Sequence, residues 1–158
     1  MVRPFRFEDL PAVKGIANRA WKPIMEMFRQ TYGEELFSLL RPHPETDKGE
    51  EVAAFCRKNP DCCLVCEENG QVVGFVTFWL DREKRIGEIG NNAADPECGI
   101  KGIGQQMYQA VFEVFRRAGM RYAVVHTGLD QAHSRARLAY QRAGFNIKHE
   151  EVTYFRKL

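Results

Sequence analysis

Between Asp95 and Gly104 the chain reads Asp-Pro-Glu-Cys-Gly-Ile-Lys-Gly-Ile-Gly. A short apolar–polar run, Ile86 to Ala94, leads in, and a helical pattern, Gln105 to Ala118, leads out. The order strand, glycine turn, helix leaves backbone N–H groups free at the helix start and aims them at one point. The positive end of the helix dipole adds to them, which makes an anion site, best suited to phosphate. Glycines at 99, 102 and 104 let the backbone come close to such a group. No Gly-Lys-Ser/Thr follows, so this is not a P-loop. Gly-x-x-Gly-x-Gly inverts the dinucleotide spacing, and no acidic residue stands at the right distance on a following strand. Taken alone, the loop is equally a helix entry with no ligand.

A second segment decides between these readings. It runs His133-Ser-Arg-Ala-Arg-Leu-Ala-Tyr140-Gln-Arg-Ala-Gly144-Phe145. Together the two segments resemble the GCN5-related N-acetyltransferases, the GNAT family. The family loop is Arg/Gln-x-x-Gly-x-Gly/Ala after a strand ending in Val-Asp-Pro-Glu or similar. Asp95-Pro96-Glu97 and Gly102-x-Gly104 fit, while Gly99 stands where the family has Arg or Gln. The later family element is Asn-x-x-Ala-x-x-Leu-Tyr-Glu-Lys-x-Gly-Phe. Ala136, Tyr140, Gly144 and Phe145 match in register, and His133 replaces the Asn. The resemblance covers residues 62–158 well and the first sixty residues in general pattern only.

The resemblance implies a mixed α/β fold. Its central twisted sheet is mostly antiparallel, flanked by helices, and contains a splayed strand pair. It implies acetyl-CoA as co-substrate, with no metal, and transfer of the acetyl group to an amine by direct attack. The loop Gly99, Ile100, Lys101, Gly102, Ile103, Gly104 would hold the pyrophosphate through backbone amides, so the missing Arg/Gln side chain is not required. Asn92, Ala93 and Ala94, with Asn91, occupy the strand along which the family lays the pantetheine arm. Two Asn are poor strand formers, which fits a strand opened by a bulge. Glu88, upstream on that strand, is the expected general base. An alkyl ammonium with pKa ~10.4 is deprotonated about once in a few thousand molecules at pH 7, so the reaction needs one. Tyr140 matches the family tyrosine that donates to the departing thiolate, and a phenol near pKa ~10 holds its proton at neutral pH. His133 either makes the coenzyme contact of the family Asn or caps the helix near Asp130. His126 falls in the core or at the rim, and Arg135 and Arg137 either approach the adenosine 3′-phosphate or are solvated.

The acceptor is expected to be a small-molecule amine or a peptide amine. Its wall would come from residues 20–45, where Trp21, Phe28, Tyr32 and Phe37 have mostly core spacing and Glu26, Glu34 and Glu35 form an acidic face. A non-catalytic acyl-CoA sensor on the same fold is the alternative. The sequence leaves open whether the chain forms a homodimer.

The elements that must position these groups follow from periodicity. Val2–Phe7 reads as a strand. A helix entry at Phe7–Pro11 leads to Leu10, Val13, Ile16 and Ala17 on one face. Pro23 marks a break or the start of a second helix running to about Leu40. A loop spans residues 41–49, and Thr46 or Asp47 caps a third helix through Arg57. Strands Cys62–Glu67 and Val72–Leu80 flank Asn69-Gly70, the strongest short hairpin signal. A charged turn precedes strand Arg85–Ala94. The helix after the loop buries Ile103, Met107, Val111, Val114 and Phe115, with Gly119 as its cap. Strand Tyr122–His126, helix Ala132–Ala143 and two closing strands, Phe145–Ile147 and Val152–Arg156, complete the sheet.

Composition sets the outer limits. At 158 residues there is enough chain for one well-buried core, read as a single domain over 1–158. A net charge of +2 gives no electrostatic case for nucleic acid, and no apolar run is long enough to span a membrane. The N-terminus lacks the apolar core of a signal peptide, so a cytoplasmic location is expected. Five cysteines, an odd number, argue against a disulfide framework. In a strand Cys62 and Cys66 face one way and Cys63 the other, which suits small buried side chains better than zinc ligands.

Overall fold

The computed structural model describes residues 1–158. Asn69 and Gly70 both take left-handed backbone, φ 51° and 76°. Consecutive residues of that kind make the tight turn whose twist suits a hairpin. They join β2 (Cys63–Glu68) to β3 (Gln71–Asp81). β1 (Val2–Pro4) pairs with β2, and β4 (Ile86–Ala94) with β3, all antiparallel. β5 (Tyr122–Val125) lies parallel to β4, giving the order β1-β2-β3-β4-β5.

Strand alternation loads both faces of this sheet. Cys63, Val65 and Phe75 point to one side. There they pack with Val13, Ile16 and Ala17 of α1 (Leu10–Leu40) and with Val52 and Cys56 of α2 (Asp47–Lys58). Leu64, Cys66, Val76, Phe78 and Ile89 point to the other. They pack with Ile103, Met107, Tyr108, Val111 and Phe115 of α3 (Ile103–Arg117) and with Tyr140 of α4 (Ser134–Arg142). Cys62 also packs on this second side, so Cys62 and Cys66 share a face and Cys63 takes the opposite one. Gly74 sets the closeness of α3: a Cβ there would lie 2.7 Å from Ile103 Cγ2. The first turn of α3 therefore rests directly on β3. No helix is long and apolar enough to cross a membrane.

Two expectations need correction. The break between the first two helices is not at Pro23: within Leu10–Leu40 the helix runs through Pro23, and its geometry breaks at Gly33 (φ 75°, ψ 162°) before resuming to Leu40. Proline removes only one helical N–H, and burial of Ile16, Ala17 and Met25 on either side of it carries the helix past Pro23. The closing strands Phe145–Ile147 and Val152–Arg156 do not form. Phe145 packs on Phe112 and Tyr140, ring centroids 5.8 and 6.0 Å apart, but residues 146–158 are exposed. Alternating apolar residues make a strand only where a neighbour buries one face. Here the tail instead meets α1, through Phe155 on Tyr32 (5.2 Å) and Lys157 Nζ on Glu35 (2.8 Å).

Candidate active site

The site is built around an irregularity in β4. Phe78 pairs with Ile89 and Val76 with Asn92, so the single residue Thr77 faces both Gly90 and Asn91. That is a β-bulge, which bends the strand. The Thr77 hydroxyl holds it by donating to the Asn91 carbonyl at 3.1 Å. β5 pairs with β4 only from Ile86 to Ile89. Past the bulge, Gly90 to Ala94 keep β3 on one side and have no strand on the other. The gap beside this unpaired edge is the candidate cleft, and Asn92, Ala93 and Ala94 lie along it.

β4 ends at Ala94, and residues 95–102 form the loop into α3. Arg19 of α1 anchors the loop, donating through Nε and Nη2 to the two Asp95 carboxylate oxygens at 3.1 and 2.7 Å. The guanidinium holds the Asp95 carboxyl below the usual carboxylate range. Gly99 and Gly102 take left-handed backbone, φ 68° and 83°. A Cβ built on either would meet no protein atom within 4 Å, so both border open space. Gly102 is the N-cap of α3, and its carbonyl accepts from the Gln106 amide at 3.1 Å. The amides of Gly102, Ile103, Gly104 and Gln105 bond to no protein group. Those are the orphan donors of a helix start, in the arrangement that binds a phosphate. The Ile103 side chain is core, so only its amide is offered; Ile100 and Lys101 are exposed. Gly104 lies inside the first turn of α3, against the Tyr108 ring.

α4 carries Tyr140 to the same cleft. Gln105 Nε2 donates to the Ala139 carbonyl (2.9 Å), which ties α4 to the start of α3. Gly144 ends the helix with φ 97°. Tyr140 is 8% exposed, and its hydroxyl accepts from Asn92 Nδ2 at 3.1 Å. The Tyr108 hydroxyl donates to Asn92 Oδ1 at 2.8 Å. Burial pushes both phenols above their ordinary range; the Asn92 donor offsets part of this for Tyr140. Two expected site residues, Tyr140 and Asn92, are thus brought into contact.

Glu88 sits apart from them, on the stretch of β4 that β5 pairs, opposite Trp79 and beside Val124. Burial raises its carboxyl pKa, and the nearby His126 partly opposes that; His126 Nε2 is 3.4 Å from Glu88 Oε1.

A family model described as the acetyltransferase (GNAT) family matches residues 21–145. The chain belongs to the GNAT acetyltransferase family. Among curated proteins it is similar to S-(2-succino)cysteine N-acetyltransferase of Bacillus subtilis, 29% identical over 90 residues, 54% of each chain. The chain spans about half the length, or less, of the curated relatives it matches, 54% and 42%. Among solved structures, the PaiA N-acetyltransferase of Thermoplasma acidophilum, in complex with coenzyme A, superposes with TM-score 0.70 at 19% identity, covering 96% of this chain and 92% of that one. A GNAT acetyltransferase of Brucella melitensis, in complex with acetyl-CoA, gives 0.60 at 24% identity over 93% and 82%. Both likenesses show a shared fold, which in this chain is an open, mostly antiparallel five-stranded sheet flanked by helices.

Other residues singled out in the sequence make local contacts. The His133 ring contacts Asp130 (Nδ1 to Oδ2, 2.7 Å), and the Asp130 carboxylate accepts from the His133 amide at 3.1 Å. Asp130 is the cap, and His133 braces it. Arg137 donates to the carbonyls of Gly128 and Asp130 at 2.7 and 2.6 Å, which fixes that loop. Of the acidic face on α1, Glu34 is bound by Arg29 and Glu35 by Lys157, each at 2.8 Å. Phe37 is fully buried. Sequence reading missed Tyr108 and Arg19. Tyr108 is the one residue on the buried face of α3 with a polar tip, a signal that a buried partner must exist. Arg19 carried no local signal, because its partner lies 76 residues away.

Proposed function

We propose that this GNAT chain is an acetyl-CoA-dependent N-acetyltransferase, a single catalytic domain acting by direct attack of an amine on the thioester. The observation that carries the reading is a shared cleft. The free amides at the start of α3, the unpaired edge of β4 and the Tyr140 hydroxyl all border it. The residues present suit coenzyme A: open space beside Gly99 and Gly102 admits a pyrophosphate, and the edge of β4 from Asn92 to Ala94 admits an extended amide-bearing arm.

The chemistry assigns the remaining roles. A neutral amine nitrogen forms a bond to the thioester carbonyl carbon, and the carbon–sulfur bond breaks with its electron pair on sulfur. Glu88 takes the amine proton, directly or through water. Burial raises its pKa, which makes it a stronger base than an exposed carboxylate. Tyr140 donates its hydroxyl hydrogen bond to the sulfur; burial keeps the phenol protonated until then. The products are an N-acetylated amine and the free thiol.

A small-molecule amine is the acceptor favoured here, ahead of a peptide amine. The Bacillus relative supports this, since its name gives S-(2-succino)cysteine as the acceptor. A cytoplasmic setting supplies both substrates. The test is release of coenzyme A thiol from acetyl-CoA across a panel of small amines, amino acids and peptides. Tyr140→Phe should lower kcat by about 30-fold or more against the best acceptor. Absence of amine-dependent thiol release across the panel would refute the enzymatic reading.

A further inference from the structure

Asn92 is held between three oxygen atoms, and their chemistry fixes which way its amide points. The Gly90 carbonyl lies 3.0 Å away and can only accept, so the atom facing it is Nδ2. That places Oδ1 toward Tyr108, where it can only accept, and the Tyr108 hydroxyl must donate across 2.8 Å. The second hydrogen of Nδ2 is left for Tyr140 at 3.1 Å, so there the tyrosine oxygen is the acceptor. The Tyr140 proton takes part in none of these three bonds, and the Tyr108 hydroxyl beside it has already given its own proton to Asn92.

We propose that Tyr108 and Asn92 are positioning residues: they form a one-way chain that holds the Tyr140 oxygen by its lone pair and leaves its proton for the departing sulfur. This rests on Tyr140 being the donor to the thiolate. If the amide were reversed, Oδ1 would face Tyr140 and capture its proton. The Gly90 carbonyl at the bulge prevents that reversal, because it can only accept; the Tyr108 hydroxyl, able to donate or accept, follows the amide. The bulge of β4 therefore has a second consequence beyond opening the cleft: it presents Gly90 O to the Asn92 side chain two residues on. The ring of Tyr108 packs beside that of Tyr140, centroids 5.5 Å apart, so the chain of bonds is sealed from water on that side.

Double-mutant kinetics test this, with coenzyme-free NMR as a second readout. Tyr108→Phe keeps the ring in the core and removes only the donor. It should lower kcat about tenfold with acetyl-CoA affinity retained. Asn92→Asp puts an acceptor where the donor was and should lower kcat on the order of 100-fold. In a Tyr140→Phe background, Tyr108→Phe should cost less than about twofold more, because the effect passes through one hydroxyl. In coenzyme-free protein carrying 13C-labelled tyrosine, the Cζ resonance of Tyr140 should move in Tyr108→Phe. Wild-type kcat in Tyr108→Phe, an equal loss in both backgrounds, or an unmoved resonance each overturns the relay. Wild-type kcat in Tyr140→Phe alone overturns the donor role itself, and so separates that failure from failure of the relay.

Discussion

Gly102→Asp separates the anion cradle from the fold that carries it. Gly102 has φ 83° and ψ 0° and borders open space. A residue with a Cβ in the left-handed region costs about 1–2 kcal/mol, and Asp is among the side chains that tolerate it best. A carboxylate at the start of α3 regains about 0.3–1 kcal/mol from the helix dipole. The two nearly cancel, so Tm should fall by less than about 4 °C. Binding has no such offset. Two unit charges 4 Å apart repel by about 4 kcal/mol at an effective dielectric near 20. The new carboxylate enters the space proposed for the pyrophosphate, and acetyl-CoA affinity should drop roughly 100- to 1,000-fold. Titration calorimetry with acetyl-CoA measures this, and a thermal melt checks the fold. Gly102→Ala adds the strain without the charge, so it should lower Tm by a few degrees while losing much less affinity than Gly102→Asp. Affinity within about threefold of wild type in a folded Gly102→Asp protein would show that the pyrophosphate does not sit at α3.

Two further perturbations follow from the ionisable groups. Glu88→Gln should lower turnover and move the pH–rate profile to higher pH, with acetyl-CoA affinity unchanged. Burial raises the folded pKa of Glu88, so its ionisation works against the folded state once the pH passes the unfolded value; the same variant should therefore melt slightly higher than wild type at pH 7. An unchanged pH–rate profile would return Glu88 to an ordinary strand charge. Arg19→Met should raise the KM for acetyl-CoA more than it lowers kcat, because it frees the loop from α1 at a stability cost of about 1 kcal/mol for a pair whose Arg19 end is open to solvent. Asp95 is depressed in the folded protein, so the wild-type advantage in stability is present above the ordinary carboxylate range and is lost as pH falls through the Asp95 value; equal acid melts would contradict this.

The parts of this molecule legible in the sequence are those set by local patterns. Asn69-Gly70 places the hairpin, the apolar spacing from Ile103 to Phe115 places α3, and the glycines mark the loop before it. The bulge was implied by the resemblance, with Asn91 and Asn92 as poor strand formers fitting it, and it lies across Gly90 and Asn91. Long-range geometry was not legible. Pro23 looked like a boundary because a proline weakens one local bond, yet packing against the sheet carries α1 past it to Gly33. The alternation at 152–156 looked like a strand, but no neighbour buries one of its faces. Tyr140 was found by motif; its partner Tyr108 required knowing that β4 brings Asn92 between the two helices.

The sheet is graded from its middle to its rim. β3 is paired along both sides, whereas β5 is a four-residue edge strand held on one side only, with Tyr122 exposed. Local opening is cheapest where backbone bonds are few and wetted, so fluctuations concentrate at β5 and not at β3. The cleft lies at that soft end, between β4 and the place where β5 has stopped. The coenzyme arm can thus enter by filling a gap that the strands already leave, without breaking a ladder, and the central hairpin keeps the rest of the molecule in register while the rim breathes.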